Sequence, residues 1–374
     1  MSFLKKWLDH DGFIDEEQTD ILKALFFYMK ILHVWPRKGQ NLRKKDISNR
    51  NYLLDDILSG MSFLATGFNI YFLLTIFIRR NSSFRQLVKD LGDFTTFPKP
   101  KNFDKVNKRM DILTHFLVIY AIVAVFVFGI FGIIDRADCL AENIELNLRR
   151  ICGMLAPVLL PQSFNYNETI FWIGFINQLY TASAVCAAGI LVMLILLGTT
   201  EILITRIQDF KKVLQKPFLE QDATKRKHYL NYCVRYHCYI IDLGDKLNDN
   251  VSALAFVLAS FTSGILAITS FQFLLKPEPK TFLHCLAWIM LLMMLSASGQ
   301  RLIDESSEIS ETIYSTDWFV GNVEAQKYAQ MIILRSNKNM FISSVFGQIS
   351  FETFTAVMSN AYSFLTLLAQ TQEG

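Results

Sequence analysis

Six stretches of this chain run without a single charged side chain: 57–78, 112–134, 169–200, 250–275, 281–300 and 353–372. Between them the sequence turns polar. A helix rises about 1.5 Å per residue, so roughly 20 apolar residues cross a hydrocarbon core of about 30 Å, and each of the six reaches that length. Lipid offers the backbone no hydrogen-bond partner. Runs this long pair their own N–H and C=O groups only as helices, because barrel strands are about half the length and alternate in polarity. The pattern predicts an all-α integral membrane helical bundle with six strong spans. A further apolar stretch, Ile21–Trp35, falls short of a spanning length and carries Lys23 and Lys30 on one helical face. It predicts an amphipathic helix over 21–36 lying in the interface. Met1–Gln18 is broken by seven charges and does not read as a cleavable signal peptide.

Composition agrees with the pattern: of 374 residues 52% are hydrophobic, 32 are Phe and only 19% are charged. The charges that remain are unevenly placed. Loops 79–111 and 201–249 hold nine Lys or Arg each, whereas loop 135–168 holds three, loop 276–280 two and the tail none. Basic loops stay cytoplasmic, which puts the C-terminus outside. Asn167-Glu168-Thr169 is then a glycosylation sequon on the outer side, close to the membrane, while Asn81-Ser82-Ser83 falls in a cytoplasmic loop and reads as chance. Phosphate-loop, zincin, nucleophile-elbow and dinucleotide motifs are absent from the sequence, so catalysis finds no support. The basic loops form no compact nucleic-acid module.

Aromatic residues gather in the expected outer halves of the spans: Phe63 and Phe68, Phe128 and Phe131, then Phe171, Trp172, Phe175 and Tyr180. Large rings suit a cavity for a small, mostly apolar ligand with one polar group, although a membrane Phe also commonly faces lipid or a neighbouring helix. Polar side chains within spans are costly unless paired, which singles out Asn69, His115, Asn177, Gln178, His284 and Gln348 for interhelical hydrogen bonds. Gln178 and His284 are placed to meet a ligand's polar atom as well. The ligand-contact set is Met61, Phe68, Phe128, Phe131, Phe171, Phe175, Gln178, Tyr180 and His284. His228, Cys233, His237 and Cys238 fit no closed zinc spacing, and neither metal nor cofactor is expected. Cys139 and Cys152 share an outer loop where oxidation is permitted, leaving a disulfide and two free thiols both open.

The C-terminal quarter carries the most specific pattern. It runs Gly299, Leu302, Ser306, then Tyr314 and Trp318, then Ser350, Phe354 and Ala361-Tyr362-Ser363-Phe364-Leu365. This order of G-x-x-L-x-x-x-S, Y-x-x-x-W and a closing Y-S-x-L resembles the end of insect odorant receptors from Gly299 onward, with weaker agreement back to about His237. Insect gustatory receptors are the alternative, but they end in T-Y followed by Q-F, and this chain has Ala361-Tyr362 without that Gln-Phe. A secondary transporter would show matched breaks at Gly or Pro, and none of the eight prolines lies inside a span.

The resemblance implies a tuning subunit of an odorant-gated, non-selective cation channel, assembling with a longer co-receptor as a hetero-oligomer, a tetramer, in the plasma membrane of an olfactory neuron dendrite or cilium. It implies four parts: residues 1–50 as a cytoplasmic N-terminal segment, 51–300 as the ligand-binding bundle, 301–352 as a cytoplasmic anchor, and 353–374 as the pore-lining last span with its tail. An apolar ring of Leu365 or Leu368 would close the pore by dewetting, with Gln370 a polar step beyond. The family has seven spans. The sequence after Asn51 corresponds to the second, so the first is expected to be replaced here by a basic connector over Arg37–Arg50.

Overall fold

The computed structural model describes the backbone of residues 44–146, 150–155, 163–320, 323–344 and 347–373, with most side chains from Ile57 onward. The chain falls into two units, Met1–Ile57 and Leu58–Gly374. The expected amphipathic helix over 21–36 and the tail residue Gly374 lie outside the described residues. Of the expected basic connector, the backbone from Lys44 is helical and the part before it lies outside the described residues.

Eleven helices and one two-stranded hairpin make up the described residues: α1 Lys44–Arg79, α2 Asn81–Leu91, α3 Phe103–Ile134, α4 Arg136–Leu146, α5 Ser163–Tyr166, α6 Glu168–Leu214, α7 Lys216–Leu219, α8 Ala223–Leu275, α9 Pro279–Tyr314, α10 Val323–Ser336, β1 Ser343–Ser344, β2 Gly347–Gln348 and α11 Phe351–Glu373. Several helices outrun the expected spans. α6, α8 and α9 run straight on past their apolar stretches, since Lys, Arg and Glu are good helix formers once their heads reach water or a partner. At 53 residues, α8 is about 80 Å long, well over twice the hydrocarbon thickness.

Among the described residues five helices, α1 from Ile57 onward, α3, α6, α8 and α9, are long and apolar enough to cross a membrane. The sixth expected span does form a helix of spanning length, α11, but it is not among those five. Thr355, Ser359, Asn360, Ser363, Thr366 and Gln370 dilute its apolar character.

α8 is the hub. It packs against α9, α6, α11, α2 and α10, and its residues Leu243, Leu247, Val251, Leu254, Leu258 and Ile265 form a buried stripe at helical spacing. Its N-terminus is capped by Asp222, whose carboxylate accepts from the Thr224 and Lys225 amides.

The end of α9 meets the 340–349 segment closely. The Ile349 carbonyl lies where a side chain at Gly299 would begin, Ser306 Oγ accepts from the Met340 amide at 3.0 Å, and Leu302 is buried between them. Asn248 of α8 ties down the same segment, accepting from the Ser343 amide at 2.7 Å and hydroxyl at 2.8 Å. Tyr314 and Trp318 meet edge to face at 6.2 Å.

At the end carrying the basic loops, the short helix α2 is pinned by Arg206 of α6. That guanidinium is fully buried and donates to the Leu91 and Asp93 carbonyls, each at 2.8 Å from Nη2. The segment between α2 and α3 lays Phe97 against Tyr236, stacked at 4.5 Å, with Tyr232 and Tyr239 beside it.

The opposite end is stitched differently. Cys139 and Cys152 are disulfide-bonded with their Cα atoms 5.8 Å apart, which settles the alternative left open by the sequence. Asn165 accepts from the Cys152 amide at 3.0 Å and donates to the Arg150 carbonyl at 2.8 Å.

Candidate functional site

Near the disulfide end, α1, α3 and α9 converge on one imidazole. His284 lies between Ser62 and Thr66 of α1, with Ser62 Oγ 3.4 Å from Nδ1 and Thr66 Oγ1 3.3 Å from Nε2. One turn further along α9, Trp288 Nε1 donates to His284 Nε2 at 3.1 Å. An indole nitrogen can only donate, so Nε2 carries no proton and Nδ1 holds it, directed at Ser62. Phe63 stacks on the imidazole at 5.8 Å, and Phe128 of α3 meets both rings edge-on at 6.4 and 6.3 Å. A polar centre is therefore walled by aromatic faces, with its own hydrogen bonds already made.

A second aromatic group stands at the start of α6, where Asn167 caps the helix by accepting from the Ile170 amide at 3.2 Å. Phe171 is fully buried and stacks with Phe175 at 5.9 Å, while Trp172 packs edge-on to both. The Arg136 guanidinium covers Phe171 at 3.6 Å and pairs with Glu168 at 3.0 Å. Phe175 reaches α3 at Gly129, where an added Cβ would come within 3.1 Å of the ring.

The nine sequence-derived ligand positions thus separate. His284 and Phe128 share the imidazole cluster, Met61 and Phe131 are half-buried on α1 and α3, and Phe171 and Phe175 form the second group. Gln178 accepts from the Leu155 amide at 2.9 Å, fastening the loop beyond the disulfide. Phe68 and Tyr180 lie on the exposed sides of α1 and α6. Ser62, Thr66 and Trp288 are additions that the fold makes to the sequence-derived set. Their signal is spacing, since 62 and 66, like 284 and 288, stand one helical turn apart.

Two open clefts, of about 280 and about 270 Å³, lie at the basic end. The first is lined by Gln208, Lys211, Lys212, Gln215, Glu305 and Thr312, and the second by Thr96, Phe97, Tyr232 and Arg235. The four residues weighed for metal do not converge. Cys233 is buried beside the Val213 carbonyl, His237 stacks on Phe210 at 5.3 Å, and Cys238 is exposed.

On α11, Val357 and Ala361 are buried against the bundle, whereas Thr355, Ser359, Ser363 and Gln370 lie on the exposed side. Leu365 and Leu368 are both half-buried, four and seven residues after Ala361 and so on its side of the helix.

Five membrane-length helices around a polar centre, with basic residues at one end and a disulfide at the other, define a multi-pass helical membrane protein of receptor type. Similarity to known proteins names the family. A family profile described as 7tm Odorant receptor matches residues 54–362, and the chain belongs to the insect odorant receptor family, which forms ligand-gated cation channels and not enzymes. Odorant receptor 85c of Drosophila melanogaster is similar at 21% identity, over 83% of this chain and 81% of its own. The odorant receptor coreceptor of Anopheles gambiae is 34% identical over 73 residues, covering 19% of this chain and 15% of its own. Among solved structures, the insect olfactory receptor OR5 from Machilis hrabei in complex with eugenol shares the fold. Its TM-score is 0.62 at 11% identity, with 99% of each chain covered. The family assignment sets aside the gustatory receptor and transporter alternatives.

Proposed function

We propose that this chain is an odorant-specific subunit of a non-selective cation channel, binding a small volatile ligand beside His284 and opening a pore lined by α11. The observation that carries the pore assignment is the face α11 leaves uncovered. The exposed sides of α1, α3 and α6 are mostly Phe, Ile, Leu, Val and Tyr, as on lipid-facing helices, whereas α11 exposes a stripe of Thr355, Ser359, Ser363 and Gln370 flanked by Tyr362 on one side and Leu367 and Phe364 on the other. Such a stripe is costly in lipid and suits a water-filled path shared by several chains. Leu365 is the proposed constriction, with Leu368 the alternative and Gln370 a polar step beyond.

Assembly with a co-receptor, as a hetero-oligomer and by family habit a tetramer, would use the 301–352 segment as its anchor. That segment exposes Tyr314, Phe319, Val320, Val323, Met331 and Leu334, far more apolar surface than a helix end in water needs. Residues 51–300 then serve as the ligand-binding bundle and 353–374 as the pore. The proposed location is the plasma membrane of an olfactory neuron, with the basic loops inside. Ligand binding shifts the closed-to-open balance by its preference for the open state.

Whole-cell recording of the chain with and without a co-receptor is the test. The expected result is volatile-evoked cation current only with the co-receptor, altered in reversal potential or block when Ser359 or Ser363 is replaced by Leu. Surface-expressed complexes that carry the same current whatever stands at 359, 363 and 365 would remove α11 of this subunit from the conduction path.

A further inference from the structure

We infer that Asn69 is a specificity-determining contact for the ligand, and that the ligand is an uncharged, mostly apolar molecule bearing one hydroxyl or carbonyl oxygen. The inference rests on the receptor reading above and deepens it. Asn69 is fully buried in α1, yet among the described residues neither its amide nitrogen nor its amide oxygen has a hydrogen-bond partner. Leaving such a group unpaired is costly, and the hydrocarbon core offers no solvent to relieve it. A position this costly is understandable if the partner arrives with the ligand.

Its place on α1 says which ligand. Ser62 and Thr66 both face His284, and Asn69 stands seven residues after the first and three after the second, on the same helical face. It sits about 4.5 Å deeper than Thr66 along the helix, below the Phe63 and Phe128 rings. His284, by contrast, has both ring nitrogens engaged. The vacant hydrogen-bonding capacity lies one turn below the rings, so an apolar body seated against them would direct an oxygen at Asn69.

Net charge is excluded. Residues 57–78, 112–134, 250–275 and 281–300 contain no Lys, Arg, Asp or Glu, so an ionised amine or carboxylate would be buried without a counter-ion.

The experiment uses the full chain with a co-receptor and matched six- to ten-carbon probes: alkane, 1-alcohol, 2-ketone, carboxylate and primary amine. One hydrogen bond of about 1–1.5 kcal/mol predicts that alcohols or ketones act at concentrations up to about tenfold below their alkanes. Asn69→Leu should abolish that preference, so that alcohol, ketone and alkane act at similar concentrations, and Asn69→Gln should restore part of it. Equal shifts for oxygenated and alkane probes, or no shift, would show that Asn69 is satisfied by a buried water or serves packing alone. A response dominated by the ionised probes would overturn the ligand class. Thermal unfolding of the purified chain with 2-heptanone decides the point apart from conduction. Stabilisation of the wild type but not of Asn69→Leu supports the inference even for a chain that passes no current, and no stabilisation of the wild type counts against it.

Discussion

A methyl group at position 299 would overlap the Ile349 carbonyl oxygen, and backbone cannot swing aside as a flexible side chain can. Gly299→Ala should therefore displace the 340–349 segment from α9, at a cost of about 1–3 kcal/mol, read as a lower unfolding temperature of the purified chain and reduced surface delivery. The neighbouring Ser306→Ala removes the acceptor for the Met340 amide and should cost about 1–2 kcal/mol in the same assay. Arg206→Lys tests a different requirement. Lysine keeps the charge but loses the planar fork that reaches two carbonyls, so α2 should loosen and its amides exchange faster with solvent while those of α9 do not. These residues show what a single sequence yields at this scale. Glycine, leucine and serine at 299, 302 and 306 are legible as a signature, yet their reason is not, because the 340–349 segment they contact comes from well beyond the end of their own helix. Asn69 is legible as a polar residue in a span, and interhelical pairing is the natural expectation. Only the fold shows that no neighbour answers it.

Helices are legible in their existence and poorly so in their ends. A run without charges reports the medium around a segment, and the medium changes at the membrane surface while the helix need not. α8 illustrates this, crossing from Lys- and Arg-bearing turns into a fully apolar stretch without a break. The converse holds for α11, whose length marks it as a span while its polar stripe marks it as something other than a lipid-facing one. The small helix α2, which nothing in the sequence singles out, is held by a charged clip. Lys246 Nζ lies 2.8 Å from Asp90, and Tyr239 donates to the Asp90 carbonyl at 2.7 Å. The hydrogen bond from Lys246, helped by Gln86 and the charge of Lys89 and opposed by partial burial, holds the Asp90 carboxyl below its ordinary value of 3.8. A carboxylate so depressed contributes stability that is complete above its ordinary value and is lost as pH falls through the lowered one. Below pH 3.8 the protection of α2 against hydrogen exchange, measured relative to the intrinsic rate at each pH, should therefore fall in the wild type. In Asp90→Asn the protection should already be low at pH 5 and change little with acidity.

At the scale of the whole molecule, the distribution of Lys and Arg predicts that a tag inserted at position 220 is reached by antibody only after permeabilisation, whereas one placed after Gly374 is reached on intact cells. Labelling of the 220 tag on intact cells would invert the orientation. The Cys139–Cys152 bond answers the same question through a separate chemistry. A disulfide persists where the compartment is oxidising, and the cytosol is not such a place. The bond joins residues only 13 apart, so it can close as soon as α3 and the loop beyond it have been delivered to the lumen, before α8 and α9 are made. It acts as a dated seal on the orientation of the growing chain, one that no later helix can revise without a reductant. Thiol chemistry can read the seal directly. A membrane-impermeant maleimide applied to intact cells should find Cys139 and Cys152 only after reduction, and should find the exposed Cys238 only once the membrane is breached.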